Sequence, residues 1–186
     1  EEVTKNSVCA LSEHLERLGH TSEVSIARDG SSTYQTRIIP KQKPKVSIII
    51  PCRLGTHRLI NGEDINLLEH CLQSIKTTVI DSAETNEIIS ALEVILVLNH
   101  EDDADRGNSV LQNYGLDGLS INDDPEFDFA RKCNLGATHA KGEILIFLND
   151  DIKLLTKGWV SDVVLAQVSS WRIGMMTLSA KTLLQK

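Results

Sequence analysis

Three short runs, VSIII (Val46 to Ile50), VILVL (Val94 to Leu98) and EILIFL (Glu143 to Leu148), are apolar at nearly every position. A strand with one wet face alternates apolar and polar residues, so a continuous β-branched run fits a strand covered on both faces, as in a parallel sheet. The segments between the runs have room for helices. Ile65, Leu68, Leu72 and Ile75 predict one helical stripe, Phe129 to Ala140 a second helix and Val160 to Val168 a third, with LSI around Leu119 as a further short strand. Such alternation implies right-handed βαβ crossovers and a mostly parallel open sheet flanked by helices, an α/β fold.

The first 44 residues read differently. Val8, Leu11, Leu15 and Leu18 recur at helical spacing from Thr4 onward, with Gly19 where a C-terminal cap belongs. SEVSIA and TYQTRII then alternate around Asp29-Gly30-Ser31, a hairpin signal. Pro40-Lys41-Gln42-Lys43-Pro44 is a stiff, charged linker, so the expected organisation is a helix-hairpin connector over 1–44 and a main domain over 45–186.

Charge and cysteine usage narrow the function. A formal net charge of −7 argues against non-specific nucleic-acid binding, which needs clustered Lys and Arg. The cysteines Cys9, Cys52, Cys71 and Cys133 form no C-x-x-C pair, and the six histidines show no metal-ligand spacing, so zinc is not expected and the thiols read as reduced packing residues. No apolar stretch approaches the roughly 20 residues that span a bilayer, and EEVTKNSV lacks the regions of a signal peptide. The expected location is cytoplasmic, with peripheral association at the inner face of the membrane left open.

The most informative junction is the end of the third run, where EILIFL meets Asn149, Asp150 and Asp151. In open α/β sheets, ligands bind beyond the carboxyl ends of the strands. Two adjacent carboxylates there repel unless a cation lies beside them. Mg²⁺ typically takes one or two protein carboxylates and completes its octahedron with water and phosphate oxygens. The alternative is that Asp150 and Asp151 begin a loop, one of them capping the next turn.

Read in order, VSIIIP, LEHCLQSI, EVILVLN and FDFARKCNLGATHAKGEILIFLNDDIKLLTKGW resemble the signatures of the family 2 glycosyltransferases of GT-A fold. The resemblance runs from about Lys45 onward. It implies a Rossmann-like sheet and inverting transfer of a sugar from a nucleoside-diphosphate donor to a glycan or lipid-linked acceptor in cell-surface polysaccharide synthesis. It also implies a divalent metal, Mg²⁺ or Mn²⁺, held by the D-x-D motif that becomes Asn149-Asp150-Asp151 here, with Asp151 matching the metal ligand. Pro51, Cys52 and Arg53 match the loop that lines the nucleoside pocket. Asn134 and Gly136 match an N-x-G in which donor contact and helix packing both remain open, and Gly142 matches the turn into the strand. Arg53 or Arg131 would bring positive charge toward phosphate, or would simply face solvent. The N-terminal 44 residues resemble, more loosely, the connector before a transferase domain in tandem-domain bacterial polysaccharide-assembly enzymes.

Two departures limit the carry-over. Relatives place an aspartate that accepts the base N3–H at the end of the second strand, whereas this chain has Val97-Leu98-Asn99. Base recognition then falls to Asn99, to the acidic run Glu101-Asp102-Asp103 or to backbone groups, the run being otherwise a solvated loop. A UDP- or dTDP-linked donor is favoured over a GDP-linked one. The family's general base lies well past the D-x-D strand, and Asp162 is an unconvincing substitute, so catalytic residues stay unassigned. The chain is expected to be the donor-binding part of a domain truncated on its C-terminal side. A non-catalytic binding or scaffold module is the alternative. A sugar nucleotidyltransferase fits less well, because PCRLGTHRL offers Arg53, Gly55 and Arg58 without a Gly-rich phosphate loop.

Overall fold

The computed structural model describes residues 2–26, 33–80, 83–123, 126, 128–169 and 181–182. The chain opens with α1 (Glu2–Arg17). Gly19 ends it at φ +79°. The Gly19 and His20 N–H groups donate back to Glu16 O at 2.8 Å and Leu15 O at 3.0 Å, the double bond of a Schellman cap. β1 (Thr21–Ile26) and β2 (Tyr34–Ile39) pair antiparallel with Ile26 opposite Tyr34, the expected hairpin. Its turn at Asp29-Gly30-Ser31 lies outside the described residues.

Beyond the linker, β3 (Lys45–Pro51) is the central strand. A hairpin of β4 (His57–Ile60) and β5 (Glu63–Asn66) follows, then α2 (Leu67–Ile75), which continues into a π-helical turn over Lys76–Ile80, and α3 (Ala83–Ile88). Next come β6 (Ala91–Leu98), α4 (Ala104–Asn113), β7 (Gly118–Asn122), α5 (Phe129–His139) and β8 (Ile144–Phe147). The described chain closes with β9 (Ile152–Lys153), α6 (Trp159–Ser169) and β10 (Lys181–Thr182), β10 pairing antiparallel with β9. The stretch 170–180 lies outside the described residues.

β7, β6, β3 and β8 lie side by side in that order, all parallel, with Ile48 between Val94 and Ile146. The pleat sorts the apolar runs into two layers. Ile48, Ile50, Val94, Leu96 and Leu98 join α2, α4 and α6 in the larger core; Ile49, Ile95 and Val97 meet Leu135, Ala137 and Ala140 from α5 and its C-terminal end. In β3 and β6 the continuous apolar runs are the consequence of that double cover, as expected from the sequence; β8 departs from it, with Leu145 and Phe147 exposed on one face.

Two expectations change. Ile65 belongs to β5, and the helical stripe starts at Leu67. Residues 57–66 form a hairpin that the hydrophobic pattern does not announce, turned by Asn61 at φ 52° and Gly62 at φ 87°, the backbone of a type I′ turn.

Candidate functional site

The strand order places β6 and β7 on one side of β3 and β8 on the other: the crossovers from β3 to β6 and β7 run one way, and the one from β7 to β8 returns past β3 the other way. In open sheets the crevice opens at such a point, above the carboxyl ends of the strands. Pro51 and Cys52 end β3 there, with the Cys52 N–H donating to Val97 O at 3.0 Å. Arg53 follows, exposed, with its guanidinium 3.6 Å from Glu101. Asn99 follows β6, and Asn149, Asp150 and Asp151 follow β8, where the Leu148 N–H still donates to Ile49 O. Seven of the eight residues assigned to donor or metal binding therefore share one end of the sheet.

Asp150 is half-buried. Burial, then the neighbouring Asp151, pushes its carboxyl above the usual aspartate range, while backbone N–H groups of Asp150 and Arg53 and the charge of Lys132 oppose the rise. Asp151 Oδ1 is buried without a hydrogen-bond partner. His70 Nε2 and Thr85 Oγ1 share that condition, but neither belongs to a carboxylate, the group for which an orphaned buried oxygen is most costly. A hard-oxygen pair with one orphaned member suits a hard divalent cation. Among the described residues no group of three or more His, Cys, Asp or Glu converges on one point, so water and ligand oxygens would fill most of its coordination positions.

The acidic run is neither a free loop nor an open base-reading surface. Asp102 Oδ2 accepts the N–H of Leu54 at 3.3 Å and of Asn99 at 3.1 Å, tying the loop after β3 to the loop after β6. Asp103 caps α4, accepting from Asp105 and Arg106 N–H, and Glu101 faces Arg53. Leu98 is fully buried, turned by the pleat into the larger core.

Sequence reasoning missed Lys132. Its side chain is buried, and Nζ donates to Cys52 O at 3.0 Å, Val97 O at 3.2 Å and Asn99 Oδ1 at 2.6 Å. Burial lowers its pKa, while Cys52, Asp123, Asp102 and Asp150 act the other way. The available signal was its place four residues before Gly136 on the sheet-facing side of α5, where a lysine is out of pattern.

Asn134 stands apart from the crevice group. It lies two residues, about 200°, from both Lys132 and Gly136 on α5 and is exposed. Gly136 is a packing position, since a Cβ there would sit 2.4 Å from Ile49 Cγ2. A Cβ on Gly142 would lie 2.5 Å from Ser47 N, in keeping with the need for a small residue at that turn. Arg131 is engaged: Nε and Nη2 reach the Asp123 carboxylate at 2.9 and 3.2 Å, and Nη2 also bonds Glu126 O. Asp162 pairs with Arg37 at 3.1 Å.

No family model matches the chain. Over 161 residues, 87% of its length, it is 29% identical to the O-antigen biosynthesis protein RfbC of Myxococcus xanthus, and it spans 11% of that protein. Its fold is similar to that of the mannosyltransferase PcManGT from Pyrobaculum calidifontis, solved in complex with GDP-Man and Mn²⁺. The TM-score is 0.50 at 16% identity, over 90% of this chain and 41% of that one. No described helix is long and apolar enough to cross a membrane.

Proposed function

Because the chain has the α/β fold of a GT-A glycosyltransferase, we propose that it forms the donor-binding part of an inverting glycosyltransferase of cell-surface polysaccharide assembly. The donor is a nucleoside-diphosphate sugar and the acceptor a glycan or lipid-linked glycan. Similarity to an O-antigen biosynthesis protein supports the pathway class, and the orphaned Asp151 oxygen at the mouth of β8 is the observation that carries the site. Asp151 holds a Mg²⁺ or Mn²⁺ ion, with Asp150 beside it. The ion would offset charge developing on the leaving diphosphate. Arg53, exposed on the opposite lip, adds positive charge; Pro51, Cys52, Asn99 and Asn149 wall the donor pocket, and Asn134 is kept as a peripheral donor contact.

The similar mannosyltransferase was solved with GDP-Man, and no observation favours UDP or dTDP over GDP, so the donor proposed is a nucleoside-diphosphate sugar without a stated base.

Titration calorimetry of the chain with UDP, dTDP and GDP, with and without Mn²⁺, tests the donor site. Metal-dependent binding is expected for at least one nucleotide, weakened about 100-fold or more in Asp151→Asn with the melting transition retained, as loss of a charged ligand to a cation implies. Silence with every nucleotide, or binding indifferent to Asp151, would overturn the reading.

A further inference from the structure

Asn99 sits where β6 opens into the crevice, half-exposed, one residue past the buried Leu98. The pleat that sends Leu98 toward α2 and α4 sends Asn99 toward α5, and α5 carries Lys132. Lys132 Nζ has three acceptors around it: two backbone carbonyls from neighbouring strand ends and Asn99 Oδ1. A lysine ammonium has donors and no acceptor, so only the oxygen of the Asn99 amide can face it. The amide is thereby fixed in one of its two orientations. Its Nδ2 has no partner among the described residues and is left to the crevice as a hydrogen-bond donor.

We propose that Lys132 and Asn99 form a selectivity pair: Lys132 positions the Asn99 amide so that the site presents an N–H donor, and the ligand edge docking over β6 carries an acceptor. This deepens the donor-site reading above and rests on it. The chemistry runs opposite to a carboxylate at the same strand end, which offers acceptors alone and selects a ligand N–H. A donor facing a donor leaves two polar groups unpaired in a partly desolvated place, the asymmetry from which such sites draw their selectivity. Cytosine and uracil, and likewise adenine and guanine, interchange donors and acceptors along their base-pairing edges. Each pair therefore probes the sign of the group at residue 99 where that group meets position 3 or 4 of a pyrimidine or position 1 or 6 of a purine, the positions at which donor and acceptor change places.

The test measures binding of CDP, UDP, ADP and GDP with Mn²⁺ to the full chain and to three variants. Wild type is expected to prefer one member of a pair by about tenfold, the size of a single hydrogen-bond mismatch. Asn99→Asp is nearly isosteric. It keeps one oxygen on Lys132, presents the other as an acceptor, and is expected to reverse the preference within that pair. Lys132→Met frees the amide to turn over and is expected to flatten the ratio toward one. Asn99→Ala is expected to flatten it with Lys132 intact, so the inference stays testable if Lys132→Met fails to fold. Binding that keeps its wild-type ranking in Asn99→Asp and Asn99→Ala, or that shows no preference in wild type, would overturn this inference and leave the donor site standing. Absence of binding by all four nucleotides would overturn both.

Discussion

Ionising Asp150 is opposed by its burial first and by Asp151 second. Its carboxyl is raised in the folded chain, so the fold favours the protonated form. That contribution is fully present below the unfolded pKa and is lost as pH rises through the folded value. Asp150→Asn removes the penalty while keeping an oxygen for the Arg53 N–H. It is expected to stabilise the metal-free chain at pH 7 by about 0.5–1 kcal/mol, after allowance for solvent screening. The gain should shrink as the melts are repeated toward pH 4. The thiols give a second expectation. Burial, followed by the charges of Asp150 and Asp151, pushes Cys71 up to about 12, and Cys52 is also raised well above its ordinary value, chiefly by burial. Disulfide-exchange labelling of the native chain at pH 8 should modify exposed Cys9 first, slowed by its Glu13 contact. Partly covered Cys133 should follow, and Cys52 and Cys71 should react only on unfolding. Residue identity made much of this site legible, because an Asn-Asp-Asp run at a strand's carboxyl end poses an electrostatic problem by itself. It could not show that Asp102 would bind two loops together or that Lys132 would be swallowed, since both depend on partners 33 to 80 positions away.

At the scale of elements, the buried strands were readable because double burial leaves an unbroken apolar run, and α5 and α6 because their lengths and stripes match a helix. The β4–β5 hairpin escaped for the opposite reason. Its strands, HRLI and EDIN, are largely exposed and bury little, so no hydrophobic period marks them, and only the Asn61-Gly62 turn announces them. Close approach of backbones was legible at one point. The Gly142 N–H donates to Ser47 Oγ at 2.8 Å, and that hydroxyl donates to Glu93 Oε1, which also accepts the Lys141 N–H. This network joins the start of β8 to β3 and β6. Gly142→Ala places a carbon 2.5 Å from the Ser47 backbone nitrogen, and backbone in a central strand cannot rotate aside. The expected cost is about 1–3 kcal/mol, in the range of overpacked cores, read as a lower urea midpoint with an unchanged m-value. The equivalent change at Gly136 meets the Ile49 methyl group, a side chain that can shift somewhat, and should cost less.

For the whole molecule, the division at the 40–44 linker makes a specific claim about which parts need which. Among the described residues, every buried residue in the two apolar clusters comes from Val46 or later, so the described part of the first 44 residues adds no fully buried side chain to either. They are nevertheless attached: β2 packs along α6, and Arg37 bonds Asp162 across that seam. The ion pair is about half-exposed on both sides, so Arg37→Ala should shift stability by less than about 1 kcal/mol. Packing of β2 along the helix, with Ile38 and Ile39 half-buried in that strand, is expected to supply the larger part of the attachment. We therefore propose that residues 1–44 are a separable connector. Deleting them should leave a cooperatively melting α/β domain, weakened by about 1–2 kcal/mol and lowered in Tm by about 2–8 °C. Nucleotide binding should persist in the shortened chain, because every crevice residue lies beyond the linker. Far-UV circular dichroism across a melt, paired with calorimetry, separates the possibilities. Loss of the cooperative transition would mean that α6 depends on β2 for its place and that the boundary at the linker is drawn wrongly. A retained transition with binding abolished would mean that the connector acts on the crevice from a distance.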